Sequence, residues 1–346
     1  MKRVLTGIKP TGFAHIGNYF GAIKPAIELS KNDNFDCFYF IADYHALTTL
    51  KTQEEMQEYF YNIACTWLAC GLDPDKIVFY KQSDIPEIFE LTCILSNVTP
   101  KGLMNRAHAY KAIVEKNEES NQELDFGVNM GLYNYPILMA ADILLFNTDL
   151  VPVGADQKQH LEIARDIAKS FNSKYGKTFS EPRDYVKEDS GTLVGLDGRK
   201  MSKSYNNTIQ LFSTENALKK SINKIVTDSK LPGEPKDTNC TLNKIYKLFA
   251  TKEQQEIFDK KLINGLSWGE AKRELFELAN EHIKPMREKF YYYMEHKDLV
   301  DEILEHGAKR ARKIAKENMQ KIRYSIGAVR LNEKKNDYES SGLCRD

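Results

Sequence analysis

Thr6-Gly7-Ile8-Lys9-Pro10-Thr11-Gly12-Phe13-Ala14-His15-Ile16-Gly17-Asn18 reads as the end of a strand, a glycine-containing turn and the start of a helix. Val4-Leu5 leads into Gly7, which lets backbone approach closely, and Pro10 and Gly12 bend the chain. His15 to Asn18 then open an apolar-periodic segment through Tyr19, Phe20, Ala22 and Ile23. Free amides and the positive end of a helix dipole favour anions at such a junction, so phosphate can sit there. Turns of this composition also join strands to helices with no ligand, and the turn alone leaves both possibilities open.

Outward from the turn, Phe35-Asp36-Cys37-Phe38-Tyr39-Phe40-Ile41-Ala42 is a nearly continuous apolar run ending at Asp43-Tyr44-His45, the pattern of a strand buried on both faces. A helical stretch from Thr52 to Cys70 closes with Gly71, and Asp73-Pro74 turns the chain into Ile77-Val78-Phe79-Tyr80, a further short strand. Strand and helix alternate, which predicts an α/β fold with a parallel, doubly wound sheet. Ligands of such sheets bind beyond the carboxyl ends of the strands, where the opening turn and Asp43 to His45 are expected to meet. Pro100 to Asn129 is irregular and polar and reads as a solvated loop or as a segment over the site, with Lys111 as the cation to watch.

Tyr135-Pro136-Ile137-Leu138-Met139-Ala140-Ala141-Asp142-Ile143-Leu144-Leu145-Phe146 places one carboxylate in an almost wholly apolar helix. A buried ionised group is costly without a donor. Asp142 is therefore either capped by a nearby backbone amide or arginine, or a selectivity acid that accepts a hydrogen bond from a ligand. Asp149 to His160 reads as a short strand, a turn at Gly154 and an acid, Asp156, opening a helix with Leu161, Ala164, Ala168 and Phe171 on one face. Asp156 either caps that helix or, with the turn, holds a ribose.

The 346 residues can bury more than one core, and lysine plus arginine balances aspartate plus glutamate at 49 each. Any nucleic-acid contact must then come from a local patch, not from bulk charge. Cys37, Cys65, Cys70, Cys93, Cys240 and Cys344 form no Cys-x-x-Cys pair and no metal spacing, which fits reduced thiols. The first residues lack the pattern of a secretory leader, and no apolar run is long enough to span a bilayer, so the expectation is a cytoplasmic protein without a membrane partner. From Thr241 onward the sequence reads as helices. The last carries an apolar stripe from Val300 to Ile326 and seven cations, Lys309, Arg310, Arg312, Lys313, Lys316, Lys321 and Arg323, that form either a solvated face or a phosphate-binding one. Asn332 to Asp346 reads as a polar tail.

A second stretch changes the weight of the first. Gly198-Arg199-Lys200-Met201-Ser202-Lys203-Ser204 sets three cations and two hydroxyls in a short run. With His15-Ile16-Gly17-Asn18 it resembles the paired signatures of class I aminoacyl-tRNA synthetases, the His-Ile-Gly-His motif and the Lys-Met-Ser-Lys-Ser loop. Within that class the chain most closely resembles the bacterial-type tryptophanyl-tRNA synthetase family, from Lys2 to Leu331, and Tyr135 to Gln157 is the most specific portion.

The resemblance implies a Rossmann-like catalytic unit over residues 1–212 with an inserted segment near 100–130, an all-helical tRNA anticodon-binding region over 213–327 whose last helix packs back on the catalytic unit, and a tail over 328–346. It also implies a homodimer that uses ATP and Mg²⁺ to make tryptophanyl adenylate and passes it to the cognate tRNA. By resemblance ATP meets Lys9, Pro10, Thr11, His15, Gly17, Asn18, Gly154, Ala155, Asp156, Leu193, Lys200, Met201, Ser202, Lys203 and Ser204. Tryptophan meets Asp142, Met139, Tyr135, Gln157, His45 and Leu5. Lys200, Lys203, Lys111 and His15 are the expected catalytic groups, with no protein-held metal. Indole offers one N–H donor and no acceptor, so a fixed carboxylate such as Asp142 is complementary to it. Lys9 departs from the family, which often has glutamine there, and the stretch from Lys116 to Asn129 is longer than usual. The rivals are a tyrosyl-tRNA synthetase, a cofactor-precursor nucleotidyltransferase and a catalytically silent RNA-binding paralogue.

Overall fold

The computed structural model describes residues 1–152, 154, 158–185 and 193–330. Five parallel strands, β1 (Lys2–Ile8), β2 (Phe35–Ile41), β3 (Val78–Lys81), β4 (Leu150–Pro152) and β5 (Arg183–Tyr185), form one sheet in the order β3-β2-β1-β4-β5. The order reverses between β1 and β4, so a crevice opens beyond the carboxyl ends of those two strands. Alternation along the strands divides the core. Val4, Tyr39, Ile41 and Phe79 face one apolar cluster, while Leu5, Phe38, Phe40, Val78 and Tyr80 face the other.

On the first face lie α2 (Lys24–Ser30), α4 (Gln53–Ala69), started by the Thr52 hydroxyl accepting from the Glu55 N–H, and α13 (Trp268–Glu295). That cluster runs on without a break into the helical part of the chain, α10 (Glu215–Asn223), α11 (Thr241–Phe249) and α12 (Lys252–Ile263). The second face is covered by α5 (Glu87–Ser96), α8 (Met130–Leu144), α9 (Lys158–Tyr175) and the last helix, α14 (Lys297–Ile326).

Helix α14 lies against β3, the edge strand. A Cβ built on Gly307 would stand 1.7 Å from the Phe79 carbonyl oxygen, so only glycine permits this approach. Arg310 donates to the carbonyls of Pro74 and Ile77, Arg312 lies 3.5 Å from Glu87, Arg323 pairs with Glu90 and Lys309 with Glu305. Three of these seven cations, Arg310, Arg312 and Arg323, are thus engaged by other elements, while Lys309 pairs along its own exposed turn, and the phosphate-binding reading of the face keeps Lys309, Lys313, Lys316 and Lys321 as candidates. The stretch from Pro100 to Asn129 is not the irregular loop its polarity suggests: it contains α6 (Lys101–Met104) and α7 (His108–Glu119). Among the described residues no helix is long and apolar enough to cross a membrane. The polar tail expected over Asn332 to Asp346 lies outside the described residues.

Candidate active site

A cavity of about 560 Å³ opens at the switch point, between the end of β1, the end of β4, the short helix α3 (Asp43–Ala46) after β2, and α8. Its walls include Leu5, His45, Tyr135, Met139 and Asp142, five of the six side chains expected to meet the amino acid; the sixth, Gln157, lies outside the described residues. Ala155 and Asp156, expected at the ATP, lie outside them too. The side chains around the carboxylate are mostly apolar or aromatic, as a planar apolar ligand requires.

Asp142 is 1% exposed. His45 Nε2 lies 2.9 Å from its Oδ2, and Gln82 Nε2 donates to both carboxylate oxygens at 2.9 Å. Burial pushes the Asp142 carboxyl above the usual carboxylate range, while the bonds from His45 and Gln82 pull it back. Gln82 was not legible as a site residue. It occupies a single 3₁₀ turn directly after β3 and carries no motif. The signal that points to it is indirect: a buried acid needs donors, and strand ends are where donors can reach it. Tyr135 OH lies 2.7 Å from His160 Nε2, which draws His160 into the wall from the first turn of α9. The Gln159 amide bonds the backbone of Arg106 and His108 and ties α9 to the entry of α7.

Lys9 lines the cavity and donates to the Thr48 and Thr49 hydroxyls at 2.8 Å each, with its pKa lowered by burial. His15 caps α1 (Ile16–Asn18) reciprocally: the Asn18 N–H donates to His15 Nδ1 at 3.3 Å, and the His15 N–H to Asn18 Oδ1 at 3.1 Å. Burial, then the nearby Lys203 charge, pushes the imidazole down to about 4, so His15 is neutral at pH 7 with Nδ1 as an acceptor. Gly17 must be small, since a Cβ there would meet His15 Nδ1 at 2.8 Å and the Met201 sulfur at 3.2 Å.

The two signature stretches are brought together. Ile16 N–H donates to the Ile209 carbonyl and Leu211 N–H to the Ala14 carbonyl, pinning the strand-like segment after the lysine loop to the opening turn. Lys203 Nζ donates to the Thr11 carbonyl at 2.6 Å, beside Gly12 at φ +85°, and burial lowers its pKa. Leu193 accepts from the Met201 N–H, and the Ser202 and Ser204 hydroxyls are 2.8 Å apart. Lys111 is not brought in: it stands exposed on α7, 3.4 Å from Glu115, while its neighbour Ala109 lines the cavity. Among the described residues no group of three or more histidine, cysteine, aspartate or glutamate side chains is placed to hold a metal.

The strand-end crevice thus sets a buried acid among apolar walls on one side and two adjoining cationic turns on the other, chemistry that suits a ligand with an apolar part and a phosphate. The chain belongs to the tRNA synthetases class I (W and Y) family, whose sequence profile matches residues 1–284. It is 50% identical over 328 residues to a tryptophan–tRNA ligase from Neisseria meningitidis, covering 94% of this chain and 98% of that protein. To a tryptophan–tRNA ligase from Pseudomonas aeruginosa it is 50% identical over 342 residues, 98% of this chain and 76% of that protein. The crystal structure of tryptophanyl-tRNA synthetase from Campylobacter jejuni, complexed with ADP and tryptophan, superposes with a TM-score of 0.86 at 46% identity, covering 94% of this chain and 99% of that one.

Proposed function

We propose that this protein is a tryptophan–tRNA ligase, activating L-tryptophan with ATP and transferring it to its cognate tRNA. The observation that carries the specificity is Asp142, a nearly solvent-free carboxylate held in an apolar cavity by His45 and Gln82. Indole has a single donor to offer it. A site built around a ligand hydrogen bond rejects an analogue lacking it by roughly 10⁴- to 10⁵-fold. Met139 packs on the ring, and Tyr135 with Gln157 fixes the ammonium and carboxylate.

In activation the tryptophan carboxylate oxygen attacks the α-phosphorus of ATP in line. The new carboxyl–phosphate bond forms as the bond from the α-phosphorus to the bridging oxygen breaks, and pyrophosphate leaves with the electron pair. The nucleophile is already ionised, so the protein supplies position and charge stabilisation, not proton transfer. ATP lies over the Lys9-Pro10-Thr11 turn, Gly17-Asn18, Gly154 to Asp156, Leu193 and the lysine loop. Lys200 and Lys203 draw charge toward pyrophosphate, His15 contributes as a neutral imidazole, and Mg²⁺ arrives with the ATP phosphates as part of the substrate. Lys111 would have to approach from its exposed place on α7. A terminal ribose hydroxyl of the tRNA then attacks the acyl carbon and releases AMP, in a cytoplasmic homodimer whose helical region reads the anticodon.

The test is ATP–pyrophosphate exchange with tryptophan, tyrosine or phenylalanine, for wild type and Asp142→Ala. Exchange with tryptophan alone, abolished in the variant, is the expected result. Exchange with tyrosine would overturn the specificity, and none with any amino acid would overturn the ligase.

A further inference from the structure

Asn207 lies just outside the Lys200 to Ser204 stretch and is almost fully buried, at 2% exposure, although both of its sequence neighbours in the loop are polar. Its side chain reaches back into the loop. The Ser202 N–H donates to Asn207 Oδ1 at 2.8 Å, and Asn207 Nδ2 donates to the Lys200 carbonyl at 3.1 Å and to Asp197 Oδ1 at 2.7 Å. The orientation of the amide is fixed by its partners, because a backbone N–H can only donate and a carbonyl can only accept. The Asn207 carbonyl accepts from the Leu196 N–H at 2.9 Å. Asp197 is itself occupied by Arg199, whose Nε donates to its other oxygen at 2.7 Å.

These contacts bracket Met201 on both sides, so one side chain sets the backbone that carries Lys200 and leads into Lys203. The fit is close: a Cβ on Gly195 would stand 2.4 Å from the Asn207 amide, so Gly195 is the gap that admits it. Serine or alanine at 207 would lose at least two of the three side-chain bonds, and aspartate would place a carboxylate against Asp197.

We infer that Asn207 is a positioning residue for adenylate formation: with Gly195 and Asp197 it locks the lysine loop in the shape that presents Lys200 and Lys203 to the leaving pyrophosphate. This rests on the ligase reading above. The side chain touches no substrate in this assignment and acts only through the loop. Positioning losses of this kind reach about 100-fold for a displacement of roughly 1 Å.

The experiment compares wild type, Asn207→Ala, Asn207→Asp and the double variant that combines Asp197→Asn with Asn207→Asp, in tryptophan-dependent ATP–pyrophosphate exchange, with tryptophan affinity measured separately by calorimetry. In this swap an amide at position 197 can donate to a carboxylate at position 207, restoring the bond between the two positions. The expected result is a fall in kcat/KM for ATP of about 10- to 100-fold in both single variants, tryptophan affinity within about twofold of wild type, and partial recovery of exchange in the swap above Asn207→Asp. Unchanged exchange in Asn207→Ala, loss of tryptophan affinity in parallel with exchange, or a swap no better than Asn207→Asp would overturn the assignment. Failure of the wild type to exchange with any amino acid would instead bring down the ligase reading, so the two are distinguishable.

Discussion

Replacing Gln82 with methionine tests how Asp142, the proposed indole acceptor, is kept ready. Methionine matches the length of glutamine and fits a fully buried position, but it removes both bonds to the Asp142 carboxylate and leaves His45 as its remaining partner. A hydrogen bond to a charged group contributes about 1.5–3 kcal/mol, and each ~1.4 kcal/mol is a factor of ten in affinity. The bond is already present without ligand, so its loss reaches tryptophan affinity only as far as it protonates or displaces Asp142, and binding at neutral pH is expected to weaken by at most about 10- to 100-fold. The pH dependence has a defined sign. Burial already raises the Asp142 carboxyl, and His45 and Gln82 lower it. An ionised acceptor is present above that pKa and lost as pH falls through it, so in Gln82→Met the acid-side loss of binding must begin at higher pH. Stability follows the linked rule for a raised acid: its support for the fold is present below the ordinary carboxylate value and is lost as pH rises through the folded value. The variant should consequently be less stable than wild type at neutral pH, with the gap closing toward acid. Calorimetric titration of tryptophan across the acid to neutral range measures the first effect and thermal unfolding the second. Wild-type affinity with an unmoved acid limb would refute the role given to Gln82.

Lys203→Ala should lower the rate of tryptophan-dependent pyrophosphate exchange far more than tryptophan affinity, because its ammonium bonds the Thr11 turn and does not line the cavity around Asp142; equal losses in exchange and in calorimetric affinity would count against it. His15, pushed down to about 4 by burial, binds a proton in the unfolded chain before it does in the fold, so its support for stability is present above its ordinary value near 6.5 and lost as pH falls toward 4. Thermal midpoints of wild type should fall more steeply over that window than those of His15→Ala, and parallel slopes would contradict the burial. Gly307→Ala drives a methyl into the Phe79 carbonyl and should destabilise by about 3 kcal/mol or more, read as a shift in the denaturant midpoint; a neutral result would mean α14 sits farther from β3 than the structure has it.

Much of the sheet was legible because β2 and β3 obey a simple rule, that strands buried on both faces must be apolar at successive positions, and because Val4-Leu5 of β1 lead into the opening turn. Strand β5 was not, since Arg183, Asp184 and Tyr185 are all exposed and become a strand only by pairing with β4. Helix α7 was missed for a related reason. His108 to Glu119 buries only Asn117, so the apolar periodicity that marks a helix is absent, and the helix is held by local bonds from Asn117 to the carbonyls of Leu124 and Phe126. The cations of α14 looked uniform in sequence, yet their partners, Pro74, Ile77, Glu87 and Glu90, lie more than two hundred positions earlier and could not be seen from the helix itself.

The candidate site divides along the same line. Asp142 was conspicuous as a lone charge in an apolar run, whereas its donors are ordinary polar residues at strand ends. What joins them is register. Ile8 pairs with Ile41 and Ile41 with Lys81, so the next row across the sheet is Lys9, Ala42 and Gln82. A slip of one residue in β3 would carry Gln82 away from Asp142 and turn Tyr80 and Val78 out of the second core. The apolar pattern that fixes β3 in the core therefore also fixes the donor on the acid. The placement of this donor follows from packing several residues away, which is why a sequence motif at Gln82 is not needed and none is found.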